Sequence, residues 1–367
     1  MAIPLVDVRA QYEPLRPALM ERIAEVLEGG RFVLGPNVRA FEEEAAAFLG
    51  VPATIGVANG TDAIALVLAA LGIGPGDEVI CPAFTFYATV EPIVHRGATP
   101  VFCDVDPRSL NLDPDDVARR VTERTKAIVA VHLFGRPAPL AALPAGIPVV
   151  EDAAQAFGAR IGDRRVGALG VAATFSFFPT KNLFALGDGG LVATGDGELA
   201  DTVRLLRFHG SRDKQTFELV GYNSRLDEIH AAALRLFLSS LDRWNSQRRE
   251  AAARYDELGL GDLLELPQDE PGHVYHMYVA RTRERDRLLA ALRTAEIGSA
   301  AYYTRPLHLQ PALASLGWEE GSLPETERAA RENLALPLWA GIQPEQQERV
   351  VGALRAALRP RAAARRS

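Results

Sequence analysis

The stretch with the clearest chemistry is Ser176-Phe177-Phe178-Pro179-Thr180-Lys181, with Gly187-Asp188-Gly189-Gly190 shortly after it. Residues 171–178 are apolar and rich in β-formers, so they read as a strand, and Pro179 stops it because proline has no ladder donor. Lys181 then stands on a short loop just past the strand's mouth. Of the 40 Lys and Arg side chains, only Lys126, Lys181 and Lys214 are lysines. A guanidinium keeps its charge, whereas a desolvated ammonium can lose a proton and attack a carbonyl carbon. A lysine kept here, in a chain that otherwise chooses arginine, points to covalent amine chemistry. The plain alternative is a solvated surface charge.

Asp152 ends another buried strand pattern, residues 147–150 followed by Glu151-Asp152. A carboxylate at the ligand edge of a sheet needs a cationic partner. A protonated heterocycle is one, and pyridoxal phosphate is commonly held by a lysine and by an aspartate on its ring nitrogen. Equally, Asp152 could cap a helix over Ala153-Ala154-Gln155. Asn59-Gly60-Thr61-Asp62 precedes an apolar helical run, where free N–H groups and the helix dipole favour a phosphate; an ordinary N-cap is the alternative. Ser176 could add a hydroxyl to such a phosphate or bond only backbone. In Pro82-Ala83-Phe84-Thr85-Phe86-Tyr87, a ring past a strand end could stack on a flat cofactor or belong to the core. Neither the Gly-x-x-x-x-Gly-Lys loop nor the Gly-x-Gly-x-x-Gly fingerprint occurs, so ATP and NAD are disfavoured. No Gly-x-Ser-x-Gly elbow and no metal-spaced Cys/His set is present.

These residues need a scaffold that lines up strand ends. Apolar strands at 54–58, 78–81, 100–104, 127–133, 147–150, 173–178 and 190–193 alternate with helical patterns at 12–27, 36–49, 63–71, 87–96, 114–120 and 198–208. That is an α/β pattern with a mostly parallel sheet covered on both faces, whose ligands bind at the strands' carboxyl ends. A long helical pattern from 226 to 259 bridges to a smaller α/β unit and is expected to kink near Trp244. The smaller unit reads as a strand at 273–280 with helices at 284–295, 325–333 and 344–358. We expect a large domain over 1–240 and a small one over 241–367.

A chain of 367 residues, 48% hydrophobic and 24% charged, can bury a large core. Its net charge of −7 gives no reason to expect nucleic acid or an anionic membrane as partner. Cys81 and Cys103 sit in apolar runs and read as buried thiols. The start shows no apolar signal core and no stretch reaches membrane length, so a cytoplasmic protein is expected. The basic run Arg359, Arg361, Arg365 and Arg366 reads as a solvated end.

Taken together and in order, the segments resemble the DegT/StrS-type nucleotide-sugar aminotransferases, a branch of the aspartate-aminotransferase-like, fold-type I pyridoxal-phosphate enzymes. The match runs through Asn59-Gly-Thr-Asp62, Gly76-Asp-Glu-Val-Ile80, Phe84-Thr-Phe86, Val131-His-Leu-Phe-Gly135, Glu151-Asp-Ala-Ala-Gln155, Ser176 to Asn182, Gly187 to Gly190 and Gly221-Tyr-Asn-Ser-Arg-Leu-Asp227. The resemblance implies that Lys181 links to the cofactor and shuttles protons, Asp152 pairs with the ring nitrogen, Gln155 bonds the ring hydroxyl and Phe86 stacks on the ring. It implies that Gly60, Thr61, Asp62 and Ser176 hold the phosphate. Asn223 would reach the phosphate of a neighbouring subunit, making a homodimer with shared sites. Arg225 and His308 match positions near the substrate; an ion pair with Asp227 or Glu228, and an interface histidine, are the alternatives. The implied reaction moves an amine from L-glutamate, leaving 2-oxoglutarate, to a nucleotide-diphosphate keto sugar. The wording around Lys181, Asn223 and Leu241-Asp-Arg-Trp-Asn245 is nearer to 3-keto than to 4-keto members. Related dehydratases carry histidine where Lys181 stands, and a non-catalytic regulator on the same fold could bind cofactor without turnover. Gly135-Arg136-Pro137-Ala138-Pro139 lacks an acidic residue that many relatives carry just beyond it.

Overall fold

A seven-stranded sheet carries the site. The structure, a computed structural model, describes residues 2–359. In chain order the strands are β1 (Ala53–Val57), β2 (Glu78–Pro82), β3 (Thr99–Cys103), β4 (Thr125–Val131) and β5 (Val149–Asp152). A small hairpin of β6 (Arg160–Ile161) and β7 (Arg164–Arg165) precedes β8 (Ala172–Ser176) and β9 (Gly190–Thr194). Across the sheet the order is β1-β9-β8-β5-β4-β2-β3. The run from β3 to β8 is parallel, and β9 is antiparallel to both β8 and β1. Its strands are buried on both faces, which is why they read as continuous apolar runs rather than alternating ones. Register sets Val131 beside Asp152, and Asp152 beside Thr174. The carboxyl ends of β4, β5 and β8 therefore open together. Cys81 and Cys103 are free, buried thiols in this sheet, as their apolar flanks imply.

Several expected elements differ: the helix expected at 87–96 is a 3-10 turn Tyr87–Thr89 and a short helix Glu91–His95, and three further differences have a traceable cause. The first helical stretch is split into Val8–Tyr12, a 3-10 turn Glu13–Leu15 and the helix Arg16–Gly29, because Pro14 and Pro17 supply no N–H to a continuous ladder. The expected bridge is two helices, Glu228–Leu238 and Leu241–Glu257. Its break falls at Ser239-Ser240, where the Ser239 hydroxyl donates to the Leu236 carbonyl at 2.7 Å, and not at Trp244, whose ring is buried against Phe184 and Phe237. The strand expected at 273–280 is only Tyr278–Arg281 (β10), paired antiparallel with Asn333–Leu336 (β11). Residues 273–277 instead bond the loop after β4: Val274 N–H donates to the Gly135 carbonyl at 3.0 Å. Around β10 and β11 a C-terminal core gathers Tyr255, Tyr278, Leu334, Trp339 and Val350, joined by Ile3 from the start of the chain. Arg361, Arg365 and Arg366 lie outside the described residues.

One buried acid ties the bridge to the large sheet's flank. Glu228 is 1% exposed and accepts from the N–H groups of Gly35, Asn37 and Val38 at 2.7, 2.8 and 2.9 Å, capping the helix Pro36–Leu49 from across the chain. Glu228→Ala strands three donors, two of them in buried bonds, and is expected to lower unfolding free energy by about 3 kcal/mol in urea titrations. A loss below about 0.5 kcal/mol, the usual range of surface changes, would refute that role.

Candidate active site

Lys181, on the loop after β8, and Asp152, at the end of β5, lie near enough to feel one another's charge. Asp152 is 5% exposed, and Thr89 Oγ1 donates to its Oδ2 at 2.8 Å while the Ala154 N–H reaches Oδ1 at 3.2 Å. That second bond is a local turn; no helix forms over Ala153-Ala154-Gln155. No Lys or Arg makes an ion pair with Asp152 among the described residues, and a cation whose charge it feels is Lys181. Burial pushes the Asp152 carboxyl above its ordinary value even against those bonds and that charge. Lys181 is half-buried, its backbone N–H held by the Phe178 carbonyl at 2.8 Å. Burial pulls its amine down to about 8, with Asp152 opposing the shift. An amine poised there gives up its proton near neutral pH, which an arginine would not do.

Near the end of β8 a helix begins. The helix Gly60–Ala70 begins at Asn59, whose side chain accepts from the Asp62 N–H at 2.8 Å. The remaining N–H groups of the first turn, on Gly60 and Thr61, have no carbonyl within the helix to meet. Ser176, the last residue of β8, presses against this helix start. A Cβ on Gly60 would sit 2.8 Å from Ser176 Cβ, and one on Gly190 would sit 2.3 Å from the Asn59 carbonyl oxygen. Glycine at both places lets strand and helix approach closely enough to bring the Ser176 hydroxyl, Thr61 and Asp62 to one spot. Ser176 Oγ also accepts from the Phe178 N–H at 3.3 Å, so both readings of that serine have a basis in the geometry.

Gln155 lies just past Asp152. The Phe134 N–H donates to its Oε1 at 2.7 Å, and its Nε2 donates to the Tyr303 hydroxyl at 3.1 Å. Phe86 is 57% exposed, with its ring centroid 6.1 Å from that of Tyr303. Asn223 is exposed and bonded by Arg225, whose guanidinium lies over Phe208. Arg225 and Phe208 line a basic cleft of about 540 Å3 with Arg31, Arg204, Arg207 and Lys214, which includes neither Lys181 nor Asp152. Arg225 makes no ion pair with Asp227 or Glu228; Asp227 pairs with His230 at 2.7 Å. His308 is buried and bonds Glu327 at 3.3 Å between the rings of Phe102 and Trp318, none of which belongs to the Asp152–Lys181 group. Burial holds its imidazole below the ordinary value.

Beneath Asp152 a second buried pair braces the strand ends. The Ala138 N–H donates to His132 Nδ1 at 2.8 Å, which leaves the proton on Nε2 to donate to Glu151 Oε2 at 3.1 Å. Glu151 also accepts from the N–H groups of Gly167, Leu169 and Gly170 at 2.9, 2.8 and 2.7 Å. Burial alone would raise its carboxyl, but the hydrogen bond from His132 and those backbone donors hold it below its ordinary value. Thr89, His132 and Tyr303 escaped sequence reasoning. Thr89 had a faint signal, a hydroxyl shortly past the aromatic strand end; Tyr303 had none, since its approach is set by the distant C-terminal unit. Among the described residues no three His, Cys, Asp or Glu side chains could hold a metal, and no helix is long and apolar enough to cross a membrane.

A family model described as the DegT/DnrJ/EryC1/StrS aminotransferase family matches residues 15–355. The chain belongs to this family. Among family members it is 49% identical to the "Pleiotropic regulatory protein" of Geobacillus stearothermophilus, over 96% of this chain and 97% of that one. It is 44% identical to the dTDP-3-amino-3,4,6-trideoxy-alpha-D-glucose transaminase of Streptomyces venezuelae, over 96% and 95%. The crystal structure of S. venezuelae DesV superposes with a TM-score of 0.95 at 44% identity, covering 98% of this chain and 99% of that chain. These matches agree with the α/β fold and mostly parallel sheet read from the strand pattern.

Proposed function

We propose that this family member is a pyridoxal-phosphate-dependent aminotransferase that moves the amine of L-glutamate to the keto group of a nucleotide-diphosphate sugar, with C3 as the receiving carbon. The observation that carries the reading is the buried Asp152 carboxylate, without an ion-pair partner among the described residues and near enough to feel the charge of a half-buried Lys181 whose amine gives up its proton near neutral pH. The residues present fit the cofactor. Asp152 supplies the missing counter-charge for a ring nitrogen, and the Gly60–Ser176 approach, which any larger residue at 60 would prevent, brings the serine up to the helix start. Gly60, Thr61, Asp62 and Ser176 would hold the phosphate, Gln155 the ring oxygen, Phe86 a ring face and Lys181 the aldehyde carbon. Bound there, pyridoxal phosphate supplies a carbonyl that condenses reversibly with amines and a ring that draws electrons from the attached carbon.

The chain's own residues then do three things. Asp152 stays ionised against the ring nitrogen and keeps it protonated. Lys181 Nζ, once it has given up its own proton, would take the proton from the donor's α-carbon and later return it, and would run the same transfer backwards on the keto sugar. Burial of both groups keeps bulk water from competing. The 3-keto choice draws on the name of the S. venezuelae relative, a 3-amino-sugar transaminase, and the basic cleft beside Asn223 suits a diphosphate. A homodimer fits the surface: Phe32, Val33, Phe217, Leu219 and the 97% exposed Val220 stand out around the exposed Asn223. Backbone pairing of Val33 with Asp227 and of Phe208 with Asn223 groups them. A second copy would bury this patch and let Asn223 reach its neighbour's phosphate niche. Residues 1–240 form the cofactor-binding unit and 241–367 the smaller one in this reading, and the enzyme works in the cytoplasm.

Purified protein mixed with pyridoxal phosphate is expected to turn yellow, and L-glutamate is expected to shift that band. A colourless protein that takes up no cofactor overturns the reading. A regulator, as the 49% identical relative is named, would bind cofactor yet show no shift with glutamate.

A further inference from the structure

Tyr303 enters the site from the C-terminal part of the chain. Its backbone is fixed by Asn333: the Tyr302 N–H donates to Asn333 Oδ1 at 2.5 Å, and Asn333 Nδ2 lies 3.5 Å from the Tyr303 carbonyl oxygen. Leu307 N–H, further along the same segment, donates to the Ala83 carbonyl at 2.9 Å, docking the segment on the end of β2. The ring is held edge-on to Phe84 at 6.1 Å between centroids and tilted against Phe86 at 6.1 Å.

The polarity of the bond to Gln155 is decided by its other end. Because the Phe134 N–H donates to Gln155 Oε1, the amide cannot turn over without facing donor to donor, so Nε2 must point at Tyr303. The phenol oxygen therefore accepts, and its own hydrogen is left to donate elsewhere. Among the described residues no side chain or carbonyl receives it. Burial, with the negative charge of Asp152 nearby, keeps the phenol protonated. An unspent donor thus stands at the same wall as Gln155 Nε2, which also has a second hydrogen to give.

We propose that Tyr303 is a cofactor-binding residue whose O–H, aimed by Gln155, donates to the oxygen on the bound pyridoxal ring, so that two donors from two parts of the chain grip that one atom. This rests on the reading of the site given above. A donor at the ring oxygen draws off the electron density with which that oxygen holds a proton on the neighbouring linked nitrogen. Its loss is expected to let that nitrogen keep its proton to higher pH.

The test compares the wild type with Tyr303→Phe and with Tyr302→Phe as control. Two quantities are measured: the pyridoxal phosphate dissociation constant from quenching of protein fluorescence, and the pH midpoint of the yellow band of the loaded protein. Tyr303→Phe is expected to weaken cofactor binding about five- to tenfold, the worth of one hydrogen bond, and to raise the midpoint by about one pH unit. Tyr302→Phe is expected to change neither. Equal constants and equal midpoints for Tyr303→Phe and the wild type overturn the proposal. So does weaker binding with an unmoved midpoint, which would leave Tyr303 as packing for Gln155 alone. A wild-type protein that takes up no cofactor overturns the functional reading as well, whereas a loaded wild type matched by Tyr303→Phe overturns only this assignment.

Discussion

Lys181→Ala is expected to abolish amine exchange with glutamate, a loss on the order of 10^4-fold or more, as for removal of a covalent nucleophile that is also the proton carrier. Lys181→Arg should be as inactive, because a guanidinium fills the space but keeps its protons. Retained turnover in either variant would show that another residue carries the chemistry. The same side chain makes a second, independent mark on stability. Folding lowers the amine from 10.5 to about 8 by burial, so between those values the unfolded chain binds more protons than the folded one and stability rises with pH. Below about 8 the folded chain bears the full cost of a poorly solvated charge. Lys181→Met, which removes the charge, should therefore stabilise the cofactor-free protein at pH 7 by about 2 kcal/mol, after discounting for the amine's partial exposure. The gain should fade as pH approaches 10.5. Thermal unfolding across that range reads it, and a pH-independent difference would mean that packing rather than charge is responsible.

Why the sequence disclosed so much of this site follows from where its residues stand. Asp152, Ser176 and the helix start at Gly60 each sit where a buried strand or helix ends, and such ends announce themselves by a polar residue after an apolar run. Local signals placed them within two or three residues. The sheet order, which sets β5 between β4 and β8, is carried by no local signal, yet it is what brings Asp152 to Lys181. Resemblance supplied that step. The misread elements share the opposite cause. Residues 273–277 are apolar enough for a strand, but the N–H groups of Val274 and Met277 go to the loop at Gly135 and Phe134, a partner some 140 positions upstream that periodicity cannot see. Tyr303 and the His132–Glu151 pair escaped in the same way, because each is defined by a contact far along the chain. His308 had the right residue type and a matching motif, and the structure seats it among Phe102, Trp318 and Glu327.

Asp152→Asn separates the charge of this carboxylate from its shape. The amide oxygen can still accept from the Ala154 N–H while its NH2 donates to Thr89 Oγ1, whose hydroxyl turns from donor to acceptor, so the strand end should keep its form. What disappears is the negative charge opposite the ring nitrogen, and with it the means of keeping that nitrogen protonated. Amine exchange is expected to fall on the order of 10^3-fold, the scale of one lost electrostatic stabiliser in a dry site. Asp152 also raises the Lys181 amine against the effect of burial, so the variant's Lys181 should titrate below about 8. With only Lys126, Lys181 and Lys214 in the chain, carbon-13 labelling of lysine gives three side-chain signals to assign. The cofactor-free protein then reports the shift directly. If the variant exchanges amines within tenfold of the wild type while its Lys181 midpoint moves down, the two groups are coupled but the ring nitrogen does not depend on Asp152. If the midpoint stays in place, the two groups are too far apart to act on one ring, and the site must be drawn around Lys181 alone.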